Sequence, residues 1–570
     1  MNDLDQDGAP ERSAPPAATP PEPPSAPVTS PIVTPWWRRL APHLGVLVLV
    51  FIVLRLALPA PRLLTADESD TARGGRLLVD IMTSPEHDPR LEAGPSLRHR
   101  LRAGFKTTDN PRLINLPDSA PRRAAVEAPL PRWLAALGIG VLPVSHDANN
   151  LARAAVASSL ALAISLALLA WVFRRRGFLF CGFVVAGAFG LNGFLDAGAS
   201  AGYAASSVLA MTLLLASLER LVATGRGAIW VGASLGLCLA VHPLCLALVA
   251  AVFIAWAIRR RGPTQDERTG LLALPSAPIG LFLVPLVALV VLVAIWPTLW
   301  IDTGKRLGAW LLDFGSTRTM PHEVAGLAFD QATGRAGQAW TAILQWVAWT
   351  PLPLLALWGV GLARAIAAGR AGFWSPLVIV FTLLSMGALD GSLFGARLSL
   401  LALLWIPTLV TAADGAVGAV AFLVRRAERM PKWPRALTGH RLAFAITVIF
   451  LVSPILQSAR GTTIGLARSS GGELRFPVPL GLLDQAAAMV PGATIYPSPY
   501  PAWFAPAFDV ARVDLDANLS FGEIEEADLA LVVGTPIPWL APRLAEEVAR
   551  DARPGREMSL WRVRPAPFTP

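Results

Sequence analysis

From about residue 43 onward the chain is written in long apolar runs separated by short polar links. The runs fall at 43–60, 151–173, 178–195, 200–219, 228–241, 243–258, 278–298, 340–363, 374–389, 395–415 and 442–458. About 20 apolar residues in a helix cross a bilayer. The pattern therefore predicts an all-α polytopic membrane protein with about 11 transmembrane helices. The fifth and sixth runs are one stretch broken at His242-Pro243, where proline interrupts the helical ladder. A short re-entrant turn there makes two spans; a single kinked helix is the alternative.

The links set the orientation. Arg174–Arg176, Arg220 with Arg226, Arg259–Arg261, Arg364 with Arg370, and the basic group at 425–441 all fall on one side of an eleven-span chain. Lys and Arg mark cytoplasmic loops. The N-terminus is then cytoplasmic, and the polar segments 61–132, 299–339 and 459–570 lie outside. Residues 1–35 are rich in Pro, Ala, Ser and acids, and such a segment buries too little surface to offset its ordering entropy. A disordered cytoplasmic tail is expected over 1–40, closed by the interfacial anchor Trp36, Trp37, Arg38 and Arg39. It is not a signal peptide, because acids precede the first apolar run. Residues 41–458 form the transmembrane domain. Beyond it the apolar stretches shorten to Thr494–Tyr496, Leu529–Val533 and Met558–Val563, with a helix expected at about 540–551. Punctuated by Pro and Gly, 459–570 reads as a small α/β extracytoplasmic domain.

Composition agrees with this picture. Of 570 residues, 54% are hydrophobic and 16% charged, and mean hydropathy is +0.50. Soluble domains carry roughly 25% charged residues. An ordinary soluble enzyme, a disordered chain, a collagen-like fibre and a disulfide scaffold are all excluded. A net charge of +9 and a pI of about 10.3 invite a nucleic-acid reading. The basic residues instead sit between apolar runs, so membrane lipid is the expected partner and nucleic acid is not. Cys181, Cys238 and Cys245 lie within apolar runs and read as small core residues, not as a disulfide or a metal site. High Ala, Arg and Pro content points to a GC-rich bacterial genome and a bacterial inner membrane.

Candidate chemistry lies at the outer mouth of the spans. The first span leads into Leu63-Leu64-Thr65-Ala66-Asp67-Glu68, followed by a helix-compatible stretch from Ser69 to Met82. The same outer segment closes on Glu127-Ala128-Pro129-Leu130-Pro131-Arg132-Trp133. Acids at both edges of one loop can converge at the bilayer surface. A carboxylate there suits a general base toward an acceptor hydroxyl or amine, and nearby arginines suit a phosphate or diphosphate leaving group. On the plainer reading, Asp67 and Glu68 are solvated charges at a helix end. There is no internal repeat and no Gly-rich nucleotide-binding loop.

The order of these features resembles the GT-C integral-membrane glycosyltransferases, in the branch of protein O-mannosyltransferases and lipid A aminoarabinose transferases. The resemblance runs over about residues 40–420 and rests on order and topology, not on one strong motif. Asp67-Glu68 stands where that branch has an acid pair opening the first outer loop, and Glu127 to Trp133 where it has E/H-K-P-P/I-x-x-x-W. Arg153 matches an early arginine in the next span, and Val241-His242-Pro243 a short T-K-G/P break. Trp296-Pro297-Thr298-Leu299-Trp300-Ile301-Asp302 resembles P-x-L-W-x-D-P; Thr350 to Leu355 resembles T-P-L-P-L-L. Asp390-Gly391 with Arg397 approximates D-G-x-R.

The resemblance implies transfer of a sugar from a polyprenyl-phosphate donor to an acceptor on the outer face, with inversion. It implies Asp67 as the acid that orients or deprotonates the nucleophile, Glu127 as a second acid, and Glu68 as a further candidate. Departures fall on the donor phosphate. The family lysines are replaced by Ala128 and His242, so Arg62, Arg73, Lys305, Arg306 and Arg397, together with His242, are the candidate phosphate-binding residues. His242 reads equally as a helix-break residue with a satisfied ring. The missing lysines leave open a non-catalytic relative that binds lipid-linked sugar. A transporter or flippase is less well supported, since such proteins carry acids or broken helices near the midplane. Glu86, His87 and Asp88 are three polar neighbours on a loop and do not indicate a divalent metal; no cofactor is expected. Trp296, Trp300, Trp310 and Trp340 could line a sugar site, although Trp is common at membrane interfaces. Apolar grooves between spans would hold the prenyl chain. The sugar, the acceptor and the prenyl length are not encoded in any motif.

Overall fold

The computed structural model describes residues 36–56, 63–64, 129–140, 150–191, 193–199, 203–260, 279–300, 322–324, 327–329, 350–369, 372–389, 398–429, 476–477, 480–490, 492–498, 520–521, 527–533, 540–551 and 558–564, with single residues between them. They form an all-helical bundle followed by a small sheet domain. The chain begins with helix α1 (Trp36–Leu56), the short strand β1 (Leu63–Leu64) and helix α2 (Pro129–Gly140). Then come α3 (Asn150–Val172), α4 (Phe178–Gly190), α5 (Phe194–Ala199), α6 (Tyr203–Thr224), α7 (Ala228–Leu239), α8 (Leu248–Arg260) and α9 (Ile279–Ile295). A hairpin of β2 (His322–Val324) and β3 (Leu327–Phe329) precedes α10 (Leu352–Ala367), α11 (Ser375–Leu389) and α12 (Leu398–Glu428).

Among the described residues, three helical stretches are long and apolar enough to cross a membrane by length and composition: Arg153–Val172, Tyr203–Thr224 and Leu401–Arg426. Seven more are apolar helices of 10–17 residues. Several are shorter than their apolar runs because turns consume the run ends. The run 178–195 divides between α4 and α5, where Gly193 takes a φ of +83°. The span expected at 442–458 and the tail 1–35 lie outside the described residues.

Helix α6 is buried along nearly its whole length, with Val208, Met211, Leu214, Leu215 and Leu218 fully enclosed. A helix apolar on all sides belongs in such an interior. Its serine hydroxyls bond locally, as where Ser207 Oγ donates to the Tyr203 carbonyl at 2.9 Å, whereas the buried Thr212 Oγ1 has no hydrogen-bond partner among the described residues. In α3, Ser165 likewise donates to the Ala161 carbonyl at 2.7 Å. Without water, each polar group inside a bundle needs a partner of this kind.

Small residues set the helix approaches. A Cβ at Gly232 would meet Val284 O and Val287, and one at Gly236 would meet Ala288 O and Val291, while Gly280 faces Ala228. Contacts that advance together along α7 and α9 mean that these helices run parallel. The intervening α8 therefore crosses back, and the chain reverses at His242-Pro243; it does not merely kink there. Between α10 and α12 the approach is closer still, with a Cβ at Gly415 running into the Leu357 carbonyl.

The C-terminal part opens with β4 (Phe476–Pro477), which pairs antiparallel with β1. After α13 (Leu480–Met489) come β5 (Thr494–Ser498), β6 (Ser520–Phe521), β7 (Leu529–Val533), β8 (Leu544–Asp551) and β9 (Met558–Val563). Their order in one sheet is β6-β5-β7-β9-β8, with β5 parallel to β6 and β7, and β9 antiparallel to β7 and β8. The helix expected at 540–551 is thus a strand, apart from a 3-10 turn at Ala541–Arg543. Leu544–Asp551 contains good helix formers, but hydrogen bonds to β9 override that local preference.

Candidate functional site

Helix α2 organises one end of the bundle. Its first turn holds Pro129 and Pro131, where helix N–H groups lack intrahelical acceptors and proline costs little. Between them, Leu130 sends its N–H to the Ala240 carbonyl at 3.3 Å, just past the end of α7. Trp133 donates Nε1–H to the Ile295 carbonyl at 2.9 Å, at the end of α9. Farther along, α2 meets the start of α3: a Cβ at Gly138 would run into Arg153 O and Ala154. Helix α2 therefore spans the ends of α7, α9 and α3. Sequence reasoning misses it as a helix, treating its first residues as the close of a loop.

The stretch after Asp67-Glu68 packs on this helix. Its described residues Thr71, Gly74, Gly75, Leu78 and Val79 are helical and buried. A Cβ at Gly74 would stand 2.5 Å from Arg132 Nε and 2.7 Å from its Cδ. One at Gly75 would stand 2.7 Å from the Ala135 Cβ, and one at Gly140 3.0 Å from a Val79 methyl. The chain segments that follow the two acid-bearing motifs are thus in direct contact. Strand β1 ends three residues before Asp67, and its pairing of Leu63 with Pro477 and Leu64 with Phe476 ties that segment to the C-terminal part.

His242 is the one candidate catalytic or phosphate-binding residue from the sequence that falls among the described residues. In an extended conformation it caps the 3-10 turn Pro243–Ala247, and its Nδ1 accepts the Leu244 N–H at 3.1 Å. With Nδ1 acting as acceptor, the ring carries its proton on Nε2. Asp67, Glu68, Glu127, Arg62, Arg73, Lys305, Arg306 and Arg397 lie outside the described residues, as do Trp310, Trp340, Asp390 and Gly391. So do Glu86, His87 and Asp88; among the described residues no group of three His, Cys, Asp or Glu is placed to hold a metal. Trp296 is buried, and Trp300 folds back to donate its indole N–H to the Val293 carbonyl at 2.8 Å. The turn after α9 is thereby brought to the same end as His242 and Trp133.

At this end one arginine is buried and a second is half-buried in a way that sequence does not reveal. Arg132 is 7% exposed although it bears a permanent charge. Arg153 Nε is buried with no hydrogen-bond partner among the described residues, so an incoming oxygen would satisfy it. The available sequence signal is an arginine inside or at the edge of an apolar run.

An apolar groove of about 460 Å³ lies between α8 and α11. Ala247, at the end of the His242-capped turn, lines one end of it, and Ile258 and Trp374 line the other. At that far end Arg176 and Arg364 share the carboxylate of Asp414, at 3.0 and 3.4 Å. Arg176 also stacks on Phe373, 3.8 Å from the ring centre. Two of the basic links read from the sequence thus meet on the side opposite α2.

No family model matches the chain, and no curated protein matches it in sequence. In fold it is similar to the crystal structure of ArnT from Cupriavidus metallidurans bound to undecaprenyl phosphate. The TM-score is 0.53 at 14% identity, covering 91% of this chain and 97% of that one. At that identity the likeness concerns architecture alone: an all-α region with several apolar helices followed by a small sheet domain, consistent with a GT-C-like fold.

Proposed function

We propose that the protein is a glycosyltransferase of the bacterial inner membrane that moves a sugar from a polyprenyl-phosphate donor to an acceptor on the outer face, with inversion. The observation that carries the reading is the packing of the Thr71–Val79 segment on α2 at Gly74 and Arg132, because it draws together the chain that follows Asp67-Glu68 and the chain that follows Glu127. Similarity in fold to a protein bound to undecaprenyl phosphate supports the class of donor.

In this reading Asp67 is the base that takes the acceptor proton, Glu127 positions the acceptor or the sugar, and Glu68 assists. A base of this kind contributes about 10²–10⁴-fold. Cations on the other face of the sugar stabilise the departing phosphate; Arg62, Arg73, Lys305, Arg306 and Arg397 are the candidates from sequence, while His242, whose Nδ1 accepts the Leu244 N–H, is neutral and is not such a cation. Holding donor and acceptor in line supplies as much as about 7–11 kcal/mol. The groove between α8 and α11 suits a prenyl chain, since it is apolar and reaches Ala247 of the His242-capped turn.

The test is release of polyprenyl phosphate from a panel of polyprenyl-phosphate sugars by purified protein in nanodiscs, with host membrane extract as acceptor. Release by the wild type and none by Asp67→Asn is expected. Binding of the donors without release by the folded wild type would favour a non-catalytic relative instead.

A further inference from the structure

The donor in the proposed function carries a phosphate that must rest at the boundary of the bilayer. A phosphate leaving water needs a fixed positive charge and several donors close by. Arg132 offers both. Its guanidinium is always charged and presents five N–H groups in a planar fork that matches phosphate oxygens in pairs. It is 7% exposed, so its field is weakly screened by solvent.

Its position is fixed from three directions. The residue before it in the α2 turn is Pro131, and the residue after it, Trp133, is locked to the Ile295 carbonyl. Leu130 is bonded to Ala240, next but one to His242. On its flank, Gly74 lets the arginine stem lie closer than a Cβ would allow without the arginine shifting. An arginine held between His242's turn, the end of α9 and the segment after Asp67-Glu68 lies where the motifs of the candidate site meet. It also sits in the first turn of α2, where the helix dipole favours an anion.

We infer that Arg132 is a donor-phosphate-binding residue, and that Gly74 is small because Arg132 must pass beside it to reach the phosphate. This inference rests on the proposed function, since it takes the polyprenyl phosphate from there. It adds to the sequence-derived candidates a cation whose place in the fold is seen.

The experiment measures equilibrium binding of polyprenyl phosphate, and of the uncharged polyprenol, to the full chain in nanodiscs. Wild type should prefer the phosphate. Arg132→Gln should lose about 10- to 100-fold in phosphate affinity, as expected for removing a charge-assisted hydrogen bond, with polyprenol binding unchanged. Arg132→Lys should fall between the two. Gly74→Ala, which pushes on the arginine from another segment, should weaken phosphate binding in the same selective way. Thermal unfolding of each variant establishes that it is folded; if Arg132→Gln is not, Arg132→Lys and Gly74→Ala decide. Wild-type phosphate affinity in the folded variants would overturn the role of Arg132 while leaving the donor class standing. Failure of the wild type to bind any polyprenyl phosphate would overturn the donor class itself, and Arg132 with it.

Discussion

The indole N–H of Trp133 reaches the carbonyl of Ile295 at 2.9 Å, joining α2 to the end of α9. The two residues are remote in sequence. Trp133 closes the motif that begins at Glu127, and Ile295 immediately precedes the motif that begins at Trp296. The bond does two things at once. It satisfies a carbonyl that the end of α9 leaves without an intrahelical donor. It also fixes the roll of α2, and with it the direction from which Arg132 enters the site.

Trp133→Phe keeps an aromatic ring and removes the donor. The Ile295 carbonyl then loses its partner in a partly buried place, at a cost of about 1–3 kcal/mol. A lowered unfolding temperature in detergent is expected, together with weaker polyprenyl-phosphate binding. Unchanged stability would mean that the bond does not constrain α2.

The pairing of β1 with β4 places Leu64 opposite Phe476. Antiparallel neighbours have Cα atoms about 4.5–5.5 Å apart, within the range a disulfide spans. A Leu64→Cys/Phe476→Cys double variant should therefore form a cross-link under mild oxidation, seen as a mobility shift that reductant reverses. Cys238 and Cys245 are buried and should not compete, and the half-buried Cys181 is replaced by serine in the same background. Without a cross-link, the tie between the Asp67 segment and the C-terminal part would have to be abandoned.

Asp414→Asn removes the carboxylate shared by Arg176 and Arg364. Both arginine side chains are partly exposed, so each pair is discounted for solvent, and a loss of about 1 kcal/mol is expected for the cluster. Arg176 keeps its stacking on Phe373, which limits the damage. The difference in unfolding temperature between wild type and variant should shrink as salt rises. A difference that is insensitive to salt would point to packing of α12 instead of charge.

The helical bundle is legible in the sequence because the apolar runs are long and the arginine links consistent. Helix α2 is not, since Pro129–Gly140 is short, begins with two prolines and follows a polar loop. Strand β8 reads as a helix because Ala545, Glu546, Glu547 and Ala549 favour one locally, while the β9 ladder that makes them a strand lies beyond that local window. The site divides in the same way. The order of Asp67, Glu127, His242 and Trp296 can be read from sequence, being a matter of residue type and position. The burial of Arg132 cannot, because it depends on Gly74 lying against it, and no local pattern encodes that contact.

Ala250 projects into the groove between α8 and α11, which is lined by Ile254, Leu377 and Phe381 and is almost wholly apolar. Ala250→Phe adds a ring where a prenyl chain would lie. The side chain faces outward from the bundle, so the substitution makes no demand on the core. Each buried CH₂ contributes about 0.8 kcal/mol, so blocking even two or three of them lowers affinity by roughly 10- to 50-fold. Long-chain polyprenyl phosphate should therefore bind more weakly to the variant, while a short-chain phosphate that ends before Ala250 should bind as it does to wild type. Equal loss for both chain lengths would indicate a disturbed headgroup site, and no loss for either would place the prenyl chain elsewhere on the bundle. The comparison of chain lengths within one variant thus separates tail binding from phosphate binding.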